Sequence, residues 1–184
     1  MKWSAADCPE GLSVNSEHNL LVMSGGERKL QIFTTHGTLL QDIQLHSHTS
    51  SPSYAIQLST GQFLVSQGPF SLLQCVSLVG VDGAVVRSYG GQAGSKLMQM
   101  NQPRGLAADR EGRVLVADWG NNRLLVIDKS LSRAHVMSVR IDRRVTCPYS
   151  LSYEQSRRRL YIGAREGGQV IVIDNLKDFS ALSI

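Results

Sequence analysis

A chain of 184 residues with 42% apolar and 18% charged side chains holds enough hydrocarbon for one well-filled core. Its three cysteines, Cys8, Cys75 and Cys147, lie far apart with no Cys-x-x-Cys or Cys/His spacing, which excludes a zinc-built domain. No run approaches the roughly 18 apolar residues of a membrane span. The formal net charge of +4 is unevenly divided: residues 1–100 carry five basic and six acidic side chains, residues 101–184 fourteen and nine. Positive character therefore belongs to the second half, which suits an anionic partner without specifying one. The first twenty residues hold no apolar run of signal-peptide length, so a cytoplasmic location and no membrane partner are expected.

Taken in order, the chain reads as four copies of one pattern. Pro9, Pro52, Pro103 and Pro148 are separated by 43, 51 and 45 residues. A short semi-apolar strand follows each, at 11–14, 54–58, 105–108 and 150–153. Eleven residues past the first three prolines begins an apolar triplet: Leu20-Leu21-Val22, Phe63-Leu64-Val65 and Val114-Leu115-Val116. The fourth triplet, Leu160-Tyr161-Ile162, comes one residue late after Arg157-Arg158-Arg159. Third strands fit at 30–33, 73–79, 124–127 and 170–173, and fourth strands at 38–45, 84–89, 134–139 and 179–184. Turn residues recur with them, Ser59-Thr60-Gly61 matching Arg110-Glu111-Gly112.

Four strands per copy at this period predict an all-β chain of four-stranded antiparallel blades, a β-propeller, with blades at about 8–46, 51–91, 101–140 and 146–184. Consecutive apolar residues such as Leu124 to Ile127 put hydrocarbon on both faces of each sheet, which stacked blades would cover. A β-sandwich is the runner-up, but it gives no reason for the repeated proline-to-triplet spacing.

The stretch Asn101 to Asp128, NQPRGLAADREGRVLVADWGNNRLLVID, resembles the NHL repeat, the blade unit of a propeller family in which P-x-G-L-A-x-D, V-A-D and N-x-R recur. The resemblance implies a structural motif of Pro103, Gly105, Asp118, Asn122 and Arg123, with the aspartate capping the next turn and the arginine tying neighbouring strands. The second copy reads Gln67-Gly68-Pro69-Phe70 there, so the motif looks dispensable in it. Such propellers usually close with six blades. Four blades form either a small ring or part of a six-bladed ring, whose exposed end faces would need more chain or self-association.

The resemblance to TRIM-type NHL proteins further implies single-stranded RNA or a protein partner on the face where between-blade loops gather. Arginine forks pair with phosphate and stack on bases, and exposed aromatics add stacking surface. The candidates are Arg104, Trp119, Arg143, Arg144, Tyr149, Arg165, Tyr54 and Phe70. RING and B-box domains would need dense Cys/His ligands, so ligase chemistry is not expected in this chain. The alternative is a propeller enzyme, a calcium-dependent lactonase or esterase or an NHL-type lyase. No His recurs at one blade position, Glu10, Asp118 and Glu166 share no register, and His46 and His48 have no further ligand near them in sequence. The expectation is therefore a non-catalytic binding module with no catalytic residue, metal or cofactor.

Overall fold

The computed structural model describes residues 8–46, 49–68, 72–137, 146–176 and 178–179. Among them fifteen strands fold into four antiparallel sheets that stack as the blades of a propeller. Blade 1 is β1 (Pro9–Val14), β2 (Leu20–Ser24), β3 (Lys29–Phe33) and β4 (Leu39–Gln44). Blade 2 is β5 (Pro52–Gln57), β6 (Phe63–Gln67), β7 (Gln74–Val79) and β8 (Val85–Gly91). Blade 3 is β9 (Pro103–Ala108), β10 (Val114–Asp118), β11 (Arg123–Ile127) and β12 (Ala134–Val136). Blade 4 contributes β13 (Pro148–Glu154), β14 (Arg159–Ala164) and β15 (Val170–Ile173). Residues 180–184, most of the fourth strand expected there, lie outside the described residues. Phe179 is fully buried with Leu151 and Leu160, and its N–H donates to Asp109 Oδ2 across 3.1 Å.

Within each sheet the strands pair in sequence order, so every blade is a meander with its proline-led strand innermost. Inner strands β1, β5, β9 and β13 pack each on the next. Between blades 3 and 4 that approach depends on Gly105: a Cβ there would lie 2.7 Å from Leu151 N and 2.9 Å from Tyr149 O. Any side chain would push β13 off β9.

The period-2 alternation of strands divides each apolar run between two neighbours. On blade 3, Leu106, Val114, Val116, Leu125 and Ile127 face blade 2, while Ala107, Leu115, Ala117, Leu124 and Val126 face blade 4. All are at most 5% exposed. This is why the sequence runs apolar without alternation: both faces are interfaces.

One backbone device recurs. The residue before each register proline, Cys8, Ser51, Gln102 and Cys147, has φ between 49° and 55°. Left-handed backbone at a non-glycine residue costs about 1–2 kcal/mol, and the repetition shows it to be part of the blade-to-blade crossing. At the two junctions on either side of blade 3 it turns the N–H toward the preceding blade. Gln102 N–H donates to Gln74 Oε1 at 2.7 Å, and Cys147 N–H to Asn122 Oδ1 at 2.6 Å. No helix among the described residues is long and apolar enough to cross a membrane.

Candidate functional site

On the face where the between-blade loops gather, four of the eight candidate side chains meet at the junction of blades 3 and 4. Arg104 projects from β9 and Tyr149 from β13, Trp119 opens a short 3-10 turn after β10, and Arg165 follows β14. The Trp119 and Tyr149 rings meet edge to face, 6.2 Å between centroids at 81°. Both guanidinium groups sit against both rings, Arg104 at 5.9 Å and 5.1 Å and Arg165 at 4.9 Å and 5.6 Å from the Trp119 and Tyr149 centroids. Such contacts are worth about 0.5–2 kcal/mol each.

What this cluster leaves unsatisfied is as informative as what it joins. Among the described residues neither Arg104 nor Arg165 makes an ion pair, whereas Arg113, Arg123, Arg157 and Arg159 all do. Among the described residues Arg104 Nε is buried without an acceptor, and Trp119 Nε1 meets only the weakly accepting Cys147 sulfur. Two cations held together on shared aromatic surface, with an orphaned donor beneath them, favour an incoming group rich in anionic oxygen. Burial, and then the charge of Glu166, raise the Cys147 thiol above its usual value.

The other candidates lie elsewhere. Tyr54 is on β5, lines the central cavity and is raised in pKa by burial; it does not join the cluster. Phe70, Arg143 and Arg144 lie outside the described residues.

Asp118 is fully buried. Its Oδ1 accepts from Asn101 N–H at 2.7 Å, and its Oδ2 from Arg123 Nε at 2.7 Å and Asn121 Nδ2 at 2.8 Å. The remaining Arg123 donors grip the carbonyls of Ser95, Lys96 and Gln99 in the loop from blade 2. Sequence reasoning missed that grip, because nothing in the loop's composition announces it. It also missed Gln67 and Gln74, which stand at the positions of Asp118 and Asn122. Their distances from the register proline and from the paired strand would have revealed the equivalence.

On the opposite side a cavity of about 980 Å³ opens among the inner strands, lined by Leu12, Tyr54, Ile56, Leu106, Ser152 and Tyr161 among others. Among the described residues no three His, Cys, Asp or Glu side chains gather closely enough to hold a metal ion.

Residues 100–127 match the NHL repeat. That span contains β9 to β11 with Arg104, Asp118, Trp119 and Arg123, so the NHL repeat supplies half of the aromatic–arginine cluster. No curated protein matches the chain by sequence. The fold is similar to that of a protein of unknown function from Bacteroides caccae, with a TM-score of 0.70 and 18% identity over 92% of this chain and 64% of that one. It is also similar to a streptogramin B lyase (TM-score 0.65, 10% identity, 91% and 51%) and to a gluconolactonase-like protein (0.63, 18%, 91% and 60%). The chain thus spans between half and two thirds of the length of these structures, and identities so low bear on the fold alone.

These likenesses correct the expectation that the chain is no enzyme. The same fold occurs in a lyase and in a gluconolactonase-like protein. A catalytic constellation also needs only one residue from each of several blades, and they need not share a register. The absence of a repeated ligand was therefore no ground for exclusion.

Proposed function

We propose that the loop face recognises single-stranded RNA at the junction of blades 3 and 4, as the resemblance to TRIM-type NHL proteins implies. The observation that supports this reading is the pair of guanidinium groups, Arg104 and Arg165, on the Trp119–Tyr149 platform with no carboxylate partner among the described residues. Arginine in this setting neutralises phosphate, and its guanidinium plane, like an aromatic ring, offers a surface on which an unstacked base can stack, worth about 1–3 kcal/mol per base. The excess of basic residues in the second half adds a long-range attraction.

The test is binding of a labelled random single-stranded RNA pool to the folded chain across a salt series. Removing both arginines (Arg104→Ala with Arg165→Ala) should lower the slope of log affinity against log salt by about 1.4, some 0.7 for each phosphate no longer neutralised. Trp119→Ala should weaken binding with little change in slope. Binding whose slope ignores the double variant would place the RNA elsewhere. A folded chain that binds no RNA would assign the face to a protein partner.

A second reading, catalysis in the central cavity, is supported by its volume and by the lyase and gluconolactonase-like folds. Turnover of lactone or ester substrates that is unaffected by Arg104→Ala would support it.

A further inference from the structure

Measured against its own repeat, blade 2 carries two insertions on the loop face. Four residues join the second strand to the third in blades 1 and 3, 25–28 and 119–122, but six do so in blade 2, 68–73. Seven residues, 45–51, cross from blade 1 to blade 2, whereas eleven, 92–102, cross from blade 2 to blade 3. The shorter versions show that neither addition is needed to build a blade or to reach the next. Each brings a pair of large apolar side chains to solvent: Leu72 and Leu73, 94% and 42% exposed, and Leu97 and Met98, 50% and 58% exposed. The two segments start from one edge of the sheet, since Gln74, which follows Leu73, pairs with Gly91, from which the longer loop departs.

The longer loop is also fixed in place. Its ends bridge at Ala93 and Met100, and Met100 is fully buried as an anchor. Between them five carbonyls accept from the body of the propeller. Asn121 Nδ2 donates to Gly94 at 2.8 Å, Arg123 to Ser95, Lys96 and Gln99, and the Tyr89 hydroxyl to Leu97. Apolar side chains held on an ordered backbone lose little freedom on binding, which raises affinity for a partner that must match their positions. A fluid bilayer needs no such match. Leucine and methionine also offer a phosphate no donor and a base no ring, so the tip does not suit RNA. Charge narrows the choice further: from Gly83 to Ala108 the chain carries three basic side chains, Arg87, Lys96 and Arg104, and no acidic one. Lys96 stands exposed beside the apolar tip.

We propose that the two insertions of blade 2 form a docking surface for an acidic segment of another protein. Its apolar side chains cover Leu72, Leu97 and Met98, and its carboxylates face Lys96. Exposed apolar residues gathered beside charge of one sign are the mark of such a surface, and methionine is enriched in them. The surface is separate from the Arg104–Trp119–Tyr149–Arg165 cluster and does not rest on RNA binding there.

Selection of a phage-displayed library of short random peptides on the folded full chain tests this, with the Leu97→Asp, Met98→Asp chain as soluble competitor. The expected peptides combine Leu, Ile, Phe or Met with Asp or Glu. A synthetic copy of one should bind roughly a hundredfold more weakly to Leu97→Ala with Met98→Ala, and roughly tenfold more weakly to Leu72→Ala. Lys96→Glu should weaken it by about tenfold as well and flatten its salt dependence. These side chains are exposed, so far-ultraviolet circular dichroism should not change. Tyr89→Phe removes only the donor to the Leu97 carbonyl and should cost about fivefold, an effect that unspecific apolar adhesion would not show. No selectively enriched peptide, enriched peptides without carboxylates, or binding indifferent to Leu97 and Met98 would overturn the proposal. So would sedimentation with phosphatidylserine vesicles that the competitor variant alone fails to show, which would give the tip to a lipid surface. RNA affinity measured on the same variants should stay at the wild-type value, so this surface and the RNA site can fail independently; a fall in RNA affinity without peptide binding would give the loop to the RNA.

Discussion

Blades 2 and 3 solve one structural problem with different chemistry. At the end of the second strand each must hold the N–H of the incoming loop. Blade 3 does so with Asp118, accepting from Asn101, and blade 2 with Gln67, whose Oε1 accepts from Ser50 N–H at 3.0 Å. Gln67 then donates to Ser77 Oγ, which meets Ser88 Oγ at 2.8 Å, so a neutral polar ladder crosses the sheet. At the places of Ser77 and Ser88 blade 3 has Leu125 and Val136, and its polar group is a buried carboxylate balanced by Arg123. The neutral version ends inside its own blade. The charged version demands a cation, and that cation has donors left with which to fix the loop from blade 2 and border the aromatic–arginine cluster.

The comparison breaks most visibly at Asp118. Asp118→Asn keeps the shape but leaves Arg123 without its counter-charge in a nearly buried setting, and should cost about 3 kcal/mol in a denaturant melt. It should also free residues 94–99, seen as faster tryptic cleavage after Lys96. Replacing the pair by blade 2's residues, Asp118→Gln with Arg123→Cys, should recover part of the stability but not the protection of that loop. Equal protection in both variants would show that Arg123 does not hold it. Gln67→Leu should cost less, about 2 kcal/mol, because it removes the Gln67 acceptor of Ser50 N–H and breaks the ladder without stranding a charge.

The inter-blade latch sharpens the comparison further. Gln74→Ala and Asn122→Ala each remove the acceptor of a left-handed pre-proline N–H, and each should cost about 1 kcal/mol in the same melt. If Gln74→Ala were silent while Asn122→Ala was costly, the equivalence drawn between the two blades would fail.

Most of the architecture was legible because period-2 packing and proline spacing are local signals that repeat. The four-stranded meanders and the two-faced burial of Val114 to Val116 follow from them, whereas the bulges and the innermost place of the proline-led strands do not. The site was legible only in part. Arg104 and Trp119 stood out as residues suited to anions and bases, but their meeting with Tyr149 and Arg165 depends on how blade 4 crosses blade 3, which no spacing encodes. Gln67 was misread as the loss of a motif because an amide and a carboxylate look unlike in sequence. As acceptors for one N–H they are interchangeable. Catalysis was set aside on a rule of repetition that active sites do not obey.

The smallest contrast lies at the outer hairpins. Where blade 2 turns at Gly80, with Asp82 accepting one N–H from Ala84, blade 3 has Asp128. Burial alone would raise that carboxyl. The N–H groups of Ser132 and Arg133 and the hydroxyls of Ser130 and Ser132 outweigh it and hold the pKa at about 2, against an ordinary 3.8. A carboxylate depressed on folding contributes stability that is complete above its unfolded value and lost as pH falls through its folded one. The hairpin of β11 and β12 should therefore keep its amide protection at pH 3.8, where an unperturbed aspartate is half protonated, and lose it only on approach to the folded value. Asp128→Asn should remove the dependence, since the amide keeps one acceptor and has no proton to gain. Carbon-detected titration of the Asp128 carboxyl gives the direct check: a midpoint near 3.8 would mean that the four donors do not converge on it in solution.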